Sequence, residues 1–389
     1  MFNRFLFVLI YFFFLALFVT KSEASLFKVD DRNLPSFQEK DIDSLIAAWQ
    51  RELPFLYDAI EKGDSLNWGK STISPKRILR TGELLIKTIR QAKNEKVLNQ
   101  LIRERFEVYS SVGDDGRGSV LFTGYYTPLF KGSLIPLPQY PWPVYRRPPD
   151  LYSVDLGLFY PELKGKEIAF RIVNGKVKPY YTRREIVKEK VLANKGLEIL
   201  WLKDRIERYF LMIQGSGKIL LPEGKTIWLK YDCKNGRPYT SIGRLLIEKE
   251  GLDPRETSLE GIKRYFGQHP EKIDQYLFAN ESWVFFKVES DGPHGWTNAI
   301  LTPRRSIATD KSIFPGGGVA YIIYDEPVVD SQGKLVALRK CARFVFDQDK
   351  GSAITGPGRV DIYIGEGDRA GQVAGKIYSR GRLYYLLAK

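Results

Sequence analysis

The sequence contains few of the residues that most metal centres and many hydrolases use. Among 389 residues there are two histidines, His269 and His294, and two cysteines, Cys233 and Cys341. They form no CxxC or HExxH motif, so a histidine or thiolate metal centre is not expected. Ser-His-Asp or Cys-His catalysis would need one of the two histidines. We therefore expect no metal and no cofactor, and we expect any catalysis to use carboxylates, lysines or tyrosines. The sequence leaves open whether the cysteines form a disulfide or stay as two buried thiols, with the thiols slightly favoured.

The composition is that of a basic globular protein. Lys and Arg number 60 against 46 Asp and Glu, which gives a net charge of +14, and 43% of the residues are hydrophobic. This excludes disordered, collagen-like and coiled-coil classes. The positive charge suggests nucleic-acid binding as an alternative function. However, the basic residues are spread along the chain, and a secretory signal precedes them. We therefore expect no nucleic-acid partner.

The first 24 residues have the pattern of a signal peptide. An apolar run from Phe5 to Val19 follows Arg4, and Ser22 and Ala24 have the spacing that a signal peptidase recognises. As a helix this run would rise about 22 Å, which is short of a ~30 Å hydrocarbon core. An uncleaved anchor is the alternative. No cysteine precedes Cys233, so a lipid-attachment cysteine is not expected.

The spacing of apolar residues divides the rest of the chain into helical and β-rich parts. Residues 41–109 show helical periodicity, interrupted at Pro54, and Ser74-Pro75 is typical of a helix start. Short β-rich runs follow, with a second helical patch at 241–250 and 259–278, and from Trp283 we expect short strands and glycine turns. Residues 365–371 (GEGDRAG) are predicted to be a tight turn. The absence of βαβ alternation favours a mainly β fold with helices.

Three polar, glycine-containing segments suggest a carbohydrate cleft. They are FTGYYTP (122–128), QGSG (214–217) and KNGRPYTSIG (234–243). Glycines allow close backbone approach, amides and hydroxyls give directional hydrogen bonds, and tyrosine rings stack on sugars. Any one segment alone is explained equally well as a turn.

A carboxylate near the C-terminus is a candidate general acid. If residues 360–364 form a strand, Val360, Ile362 and Ile364 bury one face, and Asp361 and Tyr363 share the other. Apolar neighbours would raise the pKa of Asp361, while Arg359 would lower it. On pattern alone, a solvated surface aspartate is the more common outcome.

Six ordered motifs give a more specific indication. Besides the three above they are SWVFF (282–286), LTPRRSIATD (301–310) and DKGSAITG (349–356) followed by DIYIGEG (361–367). From Thr123 to the C-terminus the series resembles the membrane-bound lytic murein transglycosylase A family. Its last part resembles the 3D domain, whose three aspartates correspond to Asp310, Asp349 and Asp361.

The resemblance implies a fold of two β domains with a glycan groove between them. Residues 25–128 with 288–389 would form a double-psi β-barrel with N-terminal helices, and residues 129–287 an inserted β-barrel domain. The family cleaves the β-1,4 MurNAc-GlcNAc bond without water and leaves 1,6-anhydro ends. Asp361 matches the family's catalytic aspartate, acting as acid and then as base. Thr123, Tyr125, Gln214 and Ser216 are candidates for glycan contacts or for support of Asp361, and Asp310 and Asp349 for orienting acids.

The implied partners are peptidoglycan glycan strands and other cell-wall enzymes, in the periplasm or at the outer membrane. The sequence departs from the family pattern at 231–236 (YDCKNG), at 280–282 (NES) and by an extra residue near 356–359. The extra residue could change the position of the Asp361 side chain relative to the substrate. A non-catalytic peptidoglycan- or carbohydrate-binding protein is therefore the alternative function.

Overall fold

The N-terminal part is helical and packs against one side of a β-barrel. The computed structural model describes residues 25–163, 166–253, 256–257, 259–351 and 353–389, so the predicted signal peptide at 1–24 lies outside the described residues. The first elements are β1 (Leu26–Lys28), α1 (Ile42–Lys62), β2 (Leu66–Trp68), β3 (Ser71–Ile73), α2 (Pro75–Gln91), α3 (Glu95–Arg105) and β4 (Phe106–Ser111). Each helix in the described part of the chain is too short or too polar to span a bilayer.

Local sequence explains where these helices begin. Asp41 caps α1 by accepting from the Ser44 N–H, and Ser74 caps α2 ahead of Pro75, as predicted. The predicted interruption at Pro54 is wrong, since α1 continues through it. The buried face of α1, which includes Leu45, packs in one core with the outer face of the barrel. That packing holds the helix together although the proline cannot donate a backbone hydrogen bond.

After β5 (Val120–Thr127), which belongs to the barrel, the middle of the chain builds a second sheet. Its elements are β6 (Leu129–Ser133), β7 (Trp142–Tyr145), β8 (Tyr152–Asp155), β9 (Glu167–Val173), β10 (Lys176–Pro179), α4 (Arg183–Val187), β11 (Glu198–Leu202), α5 (Arg205–Gln214), β12 (Ser216–Leu220), β13 (Thr226–Lys234), α6 (Ile242–Glu250), α7 (Leu259–Gln268), α8 (Ile273–Ala279) and β14 (Val284–Glu289). Six strands pair in the order β14-β13-β12-β6-β11-β7, and β8, β9 and β10 form a separate antiparallel sheet. Helices α6 to α8 match the predicted second helical patch.

The C-terminal part completes the barrel. It contains β15 (Ser306–Ala308), β16 (Gly318–Val329), β17 (Leu335–Asp349), β18 (Arg359–Glu366), α9 (Gly367–Ala374) and β19 (Tyr378–Ala388). Two expectations are wrong here. Strands β16 and β17 are long, because they pair with each other along almost their whole length. The segment 365–371 opens helix α9, whose buried Ala370, Val373 and Ala374 pack into the barrel core.

Six strands close on themselves. The order β5-β18-β15-β17-β16-β19 returns to β5 through the pairing of β19 with β5, and β4 and β1 extend the sheet from β19. The pairs β18–β5 and β15–β17 are parallel. Closure leaves no free edge between these strands and surrounds an apolar core. The fold is mainly β with helices, as predicted, and contains a closed six-stranded barrel.

Candidate active site

Strand β18 carries Asp361 on the wall of the barrel. Val360, Ile362 and Ile364 are buried in the barrel core, as the predicted alternation requires, and Asp361 on the other face is partly exposed. In the sheet register, Asp361 lies opposite Thr123 of β5 and Ala308 of β15. By the same alternation Tyr363 shares the face of Asp361, but its side chain is covered. Tyr363 is 1% exposed and its ring lies against Tyr125.

The environment of Asp361 favours its protonated form. Burial is the main cause and raises the pKa of this carboxyl to about 6, and the nearby charge of Asp349 acts in the same direction. Three contacts oppose the rise in pKa. The Thr123 hydroxyl donates to Oδ1 of Asp361 at 2.8 Å, Arg359 adds a positive charge, and the Ile362 N–H donates a hydrogen bond. The guanidinium of Arg359 is also 3.5 Å from the Thr123 Oγ1.

The carboxylate of Asp349, at the end of β17, is already occupied by donors. Its Oδ2 accepts from the Tyr125 hydroxyl at 2.7 Å. Its Oδ1 accepts from the backbone N–H of Trp296 at 3.0 Å and of Lys350 at 2.8 Å. Burial is the largest influence and raises the pKa of Asp349, although these three donors oppose it. Through these hydrogen bonds, Asp349 links the segments of Tyr125, Trp296 and Lys350 around Asp361.

Asp310 holds the loop that precedes β18. Its Oδ2 accepts from the Gly356 N–H at 2.7 Å, and its Oδ1 accepts from the backbone and the hydroxyl of Ser312. Burial alone would raise the pKa of Asp310, but these hydrogen bonds outweigh it and the pKa is lowered. The loop leads into β18, where Asp361 pairs with Thr123.

A cleft of about 610 Å³ lies between the barrel and the inserted sheet. The barrel side contributes Tyr125, Asp349 and Asp361, and the inserted side contributes Gln214 at the end of α5. The structure thus brings Asp361, Thr123, Tyr125, Asp349 and Gln214 together. Two predicted residues lie elsewhere. Ser216 opens β12 opposite Lys230, and Asp310 acts on the loop, and neither is among the described residues that line this cleft.

Arg183, which lies outside all six motifs, supports the inserted wall of the cleft. Its side chain is 3% exposed and donates to the backbone oxygens of Asn280 and Ser282 at 2.8 and 2.5 Å. Burial lowers the pKa of this guanidinium to about 10. Its partners are carbonyl groups almost a hundred residues away, so no local motif could indicate this role.

The motif KNGRPYTSIG has a structural core and two side chains in the cleft. Asn235 is fully buried and donates to the carbonyls of Tyr181 and Glu281, while its Oδ1 accepts from Trp283 N. Lys234 and Tyr239 line the cleft. Within this motif, Lys234 and Tyr239 thus face the cleft, whereas Asn235 holds SWVFF in place.

The described residues contain no group of three or more His, Cys, Asp or Glu side chains placed to hold a metal ion. The two cysteines are unpaired, and they lie in different sheets. Cys341 is buried in the barrel and accepts from the Arg343 guanidinium, whereas Cys233 on β13 is partly exposed.

Comparison with known proteins agrees with this architecture. Two family models match: the MltA specific insert domain over residues 121–287 and the 3D domain over residues 305–387. A relative from Buchnera aphidicola, named membrane-bound lytic murein transglycosylase A homolog, is 31% identical over 286 residues, which are 73% of this chain and 70% of the relative.

Solved structures match along almost the whole chain. MltA from Neisseria gonorrhoeae has a TM-score of 0.76 and 26% identity, and the match covers 95% of this chain and 94% of that one. Escherichia coli MltA with bound chitohexaose has a TM-score of 0.69 and 24% identity, covering 93% and 94%. The barrel, the inserted sheet and their cleft are thus those of peptidoglycan-cleaving lyases. The chain belongs to the membrane-bound lytic murein transglycosylase A family.

Proposed function

We propose that this lytic transglycosylase cleaves the β-1,4 bond between N-acetylmuramic acid and N-acetylglucosamine with Asp361 as its single acid and base. The observation that carries the proposal is the position of Asp361. It is a carboxyl on the cleft wall whose pKa is raised to about 6, so a fraction of the protein near neutral pH carries a proton that Asp361 can donate.

The reaction then has two proton transfers. Protonated Asp361 donates to the glycosidic oxygen as the bond from that oxygen to C1 of the muramoyl residue breaks. The C6 hydroxyl of the same sugar attacks C1, and the Asp361 carboxylate accepts its proton. The product carries a 1,6-anhydro ring, and the carboxyl regains the proton it gave. No water is consumed, because the substrate supplies the nucleophile.

The surroundings of Asp349 support a single-acid mechanism. A hydrolase with two carboxylates needs a second one free to attack C1 or to activate water. The oxygens of Asp349 accept from Tyr125, Trp296 and Lys350. We therefore assign Asp349 the role of positioning Tyr125 and raising the pKa of Asp361, and Asp310 the role of holding the loop before β18.

The remaining candidates have separate roles in this proposal. Thr123 orients Asp361 through its hydroxyl. Tyr125 and Gln214 contact the glycan, since both line the cleft. Ser216 supports the cleft from β12 and does not contact the sugar.

Digestion of purified peptidoglycan tests the mechanism. The mature protein and the Asp361→Asn variant are compared, and the released muropeptides are analysed by mass spectrometry. We expect anhydro ends from the wild type and none from the folded variant. Hydrated reducing ends would contradict the proposal and indicate a hydrolase, and binding without products would indicate a non-catalytic binder.

We also propose the domain division and the location that the sequence suggested. Residues 25–128 with 288–389 would be the catalytic domain, a double-psi barrel, and 129–287 the insertion, which is supported by the continuous sheet from β6 to β14. The protein would act in the periplasm or at the outer membrane, with residues 1–24 removed and cell-wall enzymes as partners. N-terminal sequencing of protein from the periplasmic fraction should begin near Ser25, and an N-terminus at Met1 would contradict cleavage.

A further inference from the structure

A second cavity lies beside the cleft, next to helix α1. It has a volume of about 540 Å³ and its lining includes Arg51, Asp58, His294 and Trp296. Trp296 is 39% exposed, an unusual exposure for so large an apolar ring. Its ring packs against Phe55 of α1, with the centroids 5.8 Å apart.

The turn that carries Trp296 is firmly held. The Trp296 N–H donates to Oδ1 of Asp349. The next residue, Thr297, donates from its hydroxyl to Oε2 of the buried Glu52 at 3.0 Å and from its N–H to the Gln348 carbonyl at 3.0 Å. An aromatic ring on such a support is ordered before any ligand binds, which reduces the entropy lost on binding.

Close packing also sets the orientation of the ring. A Cβ atom at Gly316 would lie 2.5 Å from the Trp296 ring, so the absence of a side chain there lets the ring lie against the backbone. The ammonium of Lys350, a residue that lines the cleft, lies over the ring at 5.8 Å from its centroid. The ring is therefore supported by Phe55 and the backbone at Gly316, and its contact with Lys350 connects it to the edge of the cleft.

We infer that Trp296 is a stacking platform for a pyranose ring of the glycan, in a subsite that extends the cleft from Asp349 towards α1. This inference rests on the proposed function. Sugars present a face of C–H groups to aromatic rings and hydroxyls around their edge. Trp296 supplies the ring, and Arg51, Asp58 and His294 in the same cavity supply hydrogen-bonding groups for the edge.

Binding of oligosaccharides of two lengths tests the platform. Chitohexaose and chitotriose are titrated by calorimetry into the Asp361→Asn variant, which prevents turnover, with and without Trp296→Ala. We expect Trp296→Ala to weaken hexamer binding about tenfold and to leave trimer binding unchanged, because only the longer chain reaches the added subsite. Trp296→Tyr, which keeps a ring, should stay within about threefold of the parent.

Phe159→Ala is the matched control, since Phe159 is 67% exposed and lies in the inserted part of the chain, away from both cavities. It should change neither affinity. An unchanged affinity for chitohexaose in the Trp296→Ala variant overturns the inference that Trp296 is a stacking platform. Equal weakening of both oligomers also overturns it, since that result means a disturbed Asp349 and not a lost subsite. Failure of the parent to bind either oligomer, with no anhydro products from the wild type, overturns the proposed function itself.

Discussion

The protonation of Asp361 depends on a balance among five neighbouring influences. Burial and the charge of Asp349 favour the acid, while the Thr123 hydroxyl, Arg359 and the Ile362 N–H favour the carboxylate. The first two prevail, so the pKa is about 6. At neutral pH roughly a tenth of the free enzyme would carry the proton that the proposed mechanism needs.

The pH profile of the wild type follows from this balance. Because the protonated form is the active one, kcat/KM should fall about tenfold per pH unit above pH 6. Thr123→Val removes a donor that favours the carboxylate, so the pKa should rise and the alkaline limb should move up by about one unit. Rates of muropeptide release across pH measure both, and a limb that stays in place would contradict the assigned contact.

Asp349→Asn should move the same limb in the opposite direction. The charge of Asp349 raises the pKa of Asp361, so its removal lowers that pKa and shifts the limb to lower pH. Asp310→Asn is the control, because Asp310 contacts the loop through Gly356 and is not among the influences found on Asp361. A larger shift in the Asp310 variant than in the Asp349 variant would show that these roles are wrongly assigned.

Helix α1 contributes a buried acid to the barrel. Glu52 is fully buried, and its Oε2 accepts from Thr297 and Gln348. In the described part of the chain its Oε1 has no partner. Burial raises the pKa of Glu52 from 4.5 to about 8. The folded protein therefore keeps a proton that the unfolded chain releases.

This difference predicts a pH-dependent stability. The contribution of Glu52 is complete below pH 4.5 and is lost as pH rises through about 8, with a total of a few kcal/mol. Glu52→Gln keeps an acceptor oxygen but cannot ionise, so it should flatten the fall in Tm across this range. Thermal unfolding at several pH values measures the effect. An unchanged pH slope in the variant would mean that another group is responsible.

Helices and strands that are determined by neighbouring residues in the chain could be predicted from the sequence. The helices begin at their capping residues, and the alternation around Asp361 follows from the pleat of a strand. Elements decided by distant packing could not. Pro54 is tolerated because the barrel supports α1, and GEGDRAG becomes helix α9 because its alanines pack into the core.

The site residues, too, could be predicted only where the signal is local. The motifs indicated that Tyr125, Gln214 and Asp361 belong to one cleft, and the structure places them there. The partners of Asp349 could not be foreseen, since two of its three donors are backbone N–H groups. Trp296 and Glu52 lie outside all six motifs, and their contacts come from chain segments far apart in sequence.

Closure of the barrel depends on Gly381. This residue pairs with Val120 where β19 meets β5. A Cβ atom there would lie 2.0 Å from the Ile323 carbonyl oxygen. Gly381→Ala should therefore destabilise the protein by about 3 kcal/mol. Gly267→Ala in α7 is the control, since a Cβ there meets nothing within 4 Å. Equal unfolding midpoints for the two variants in denaturant would contradict the argument.

In the proposed reaction the substrate, and not water, supplies the nucleophile. Digestion of peptidoglycan in water enriched in heavy oxygen, followed by mass spectrometry of the newly formed ends, distinguishes the two. We expect anhydro ends without heavy oxygen, formed by the wild type and absent with Asp361→Asn. Heavy oxygen at new reducing ends would contradict the proposed single-aspartate reaction.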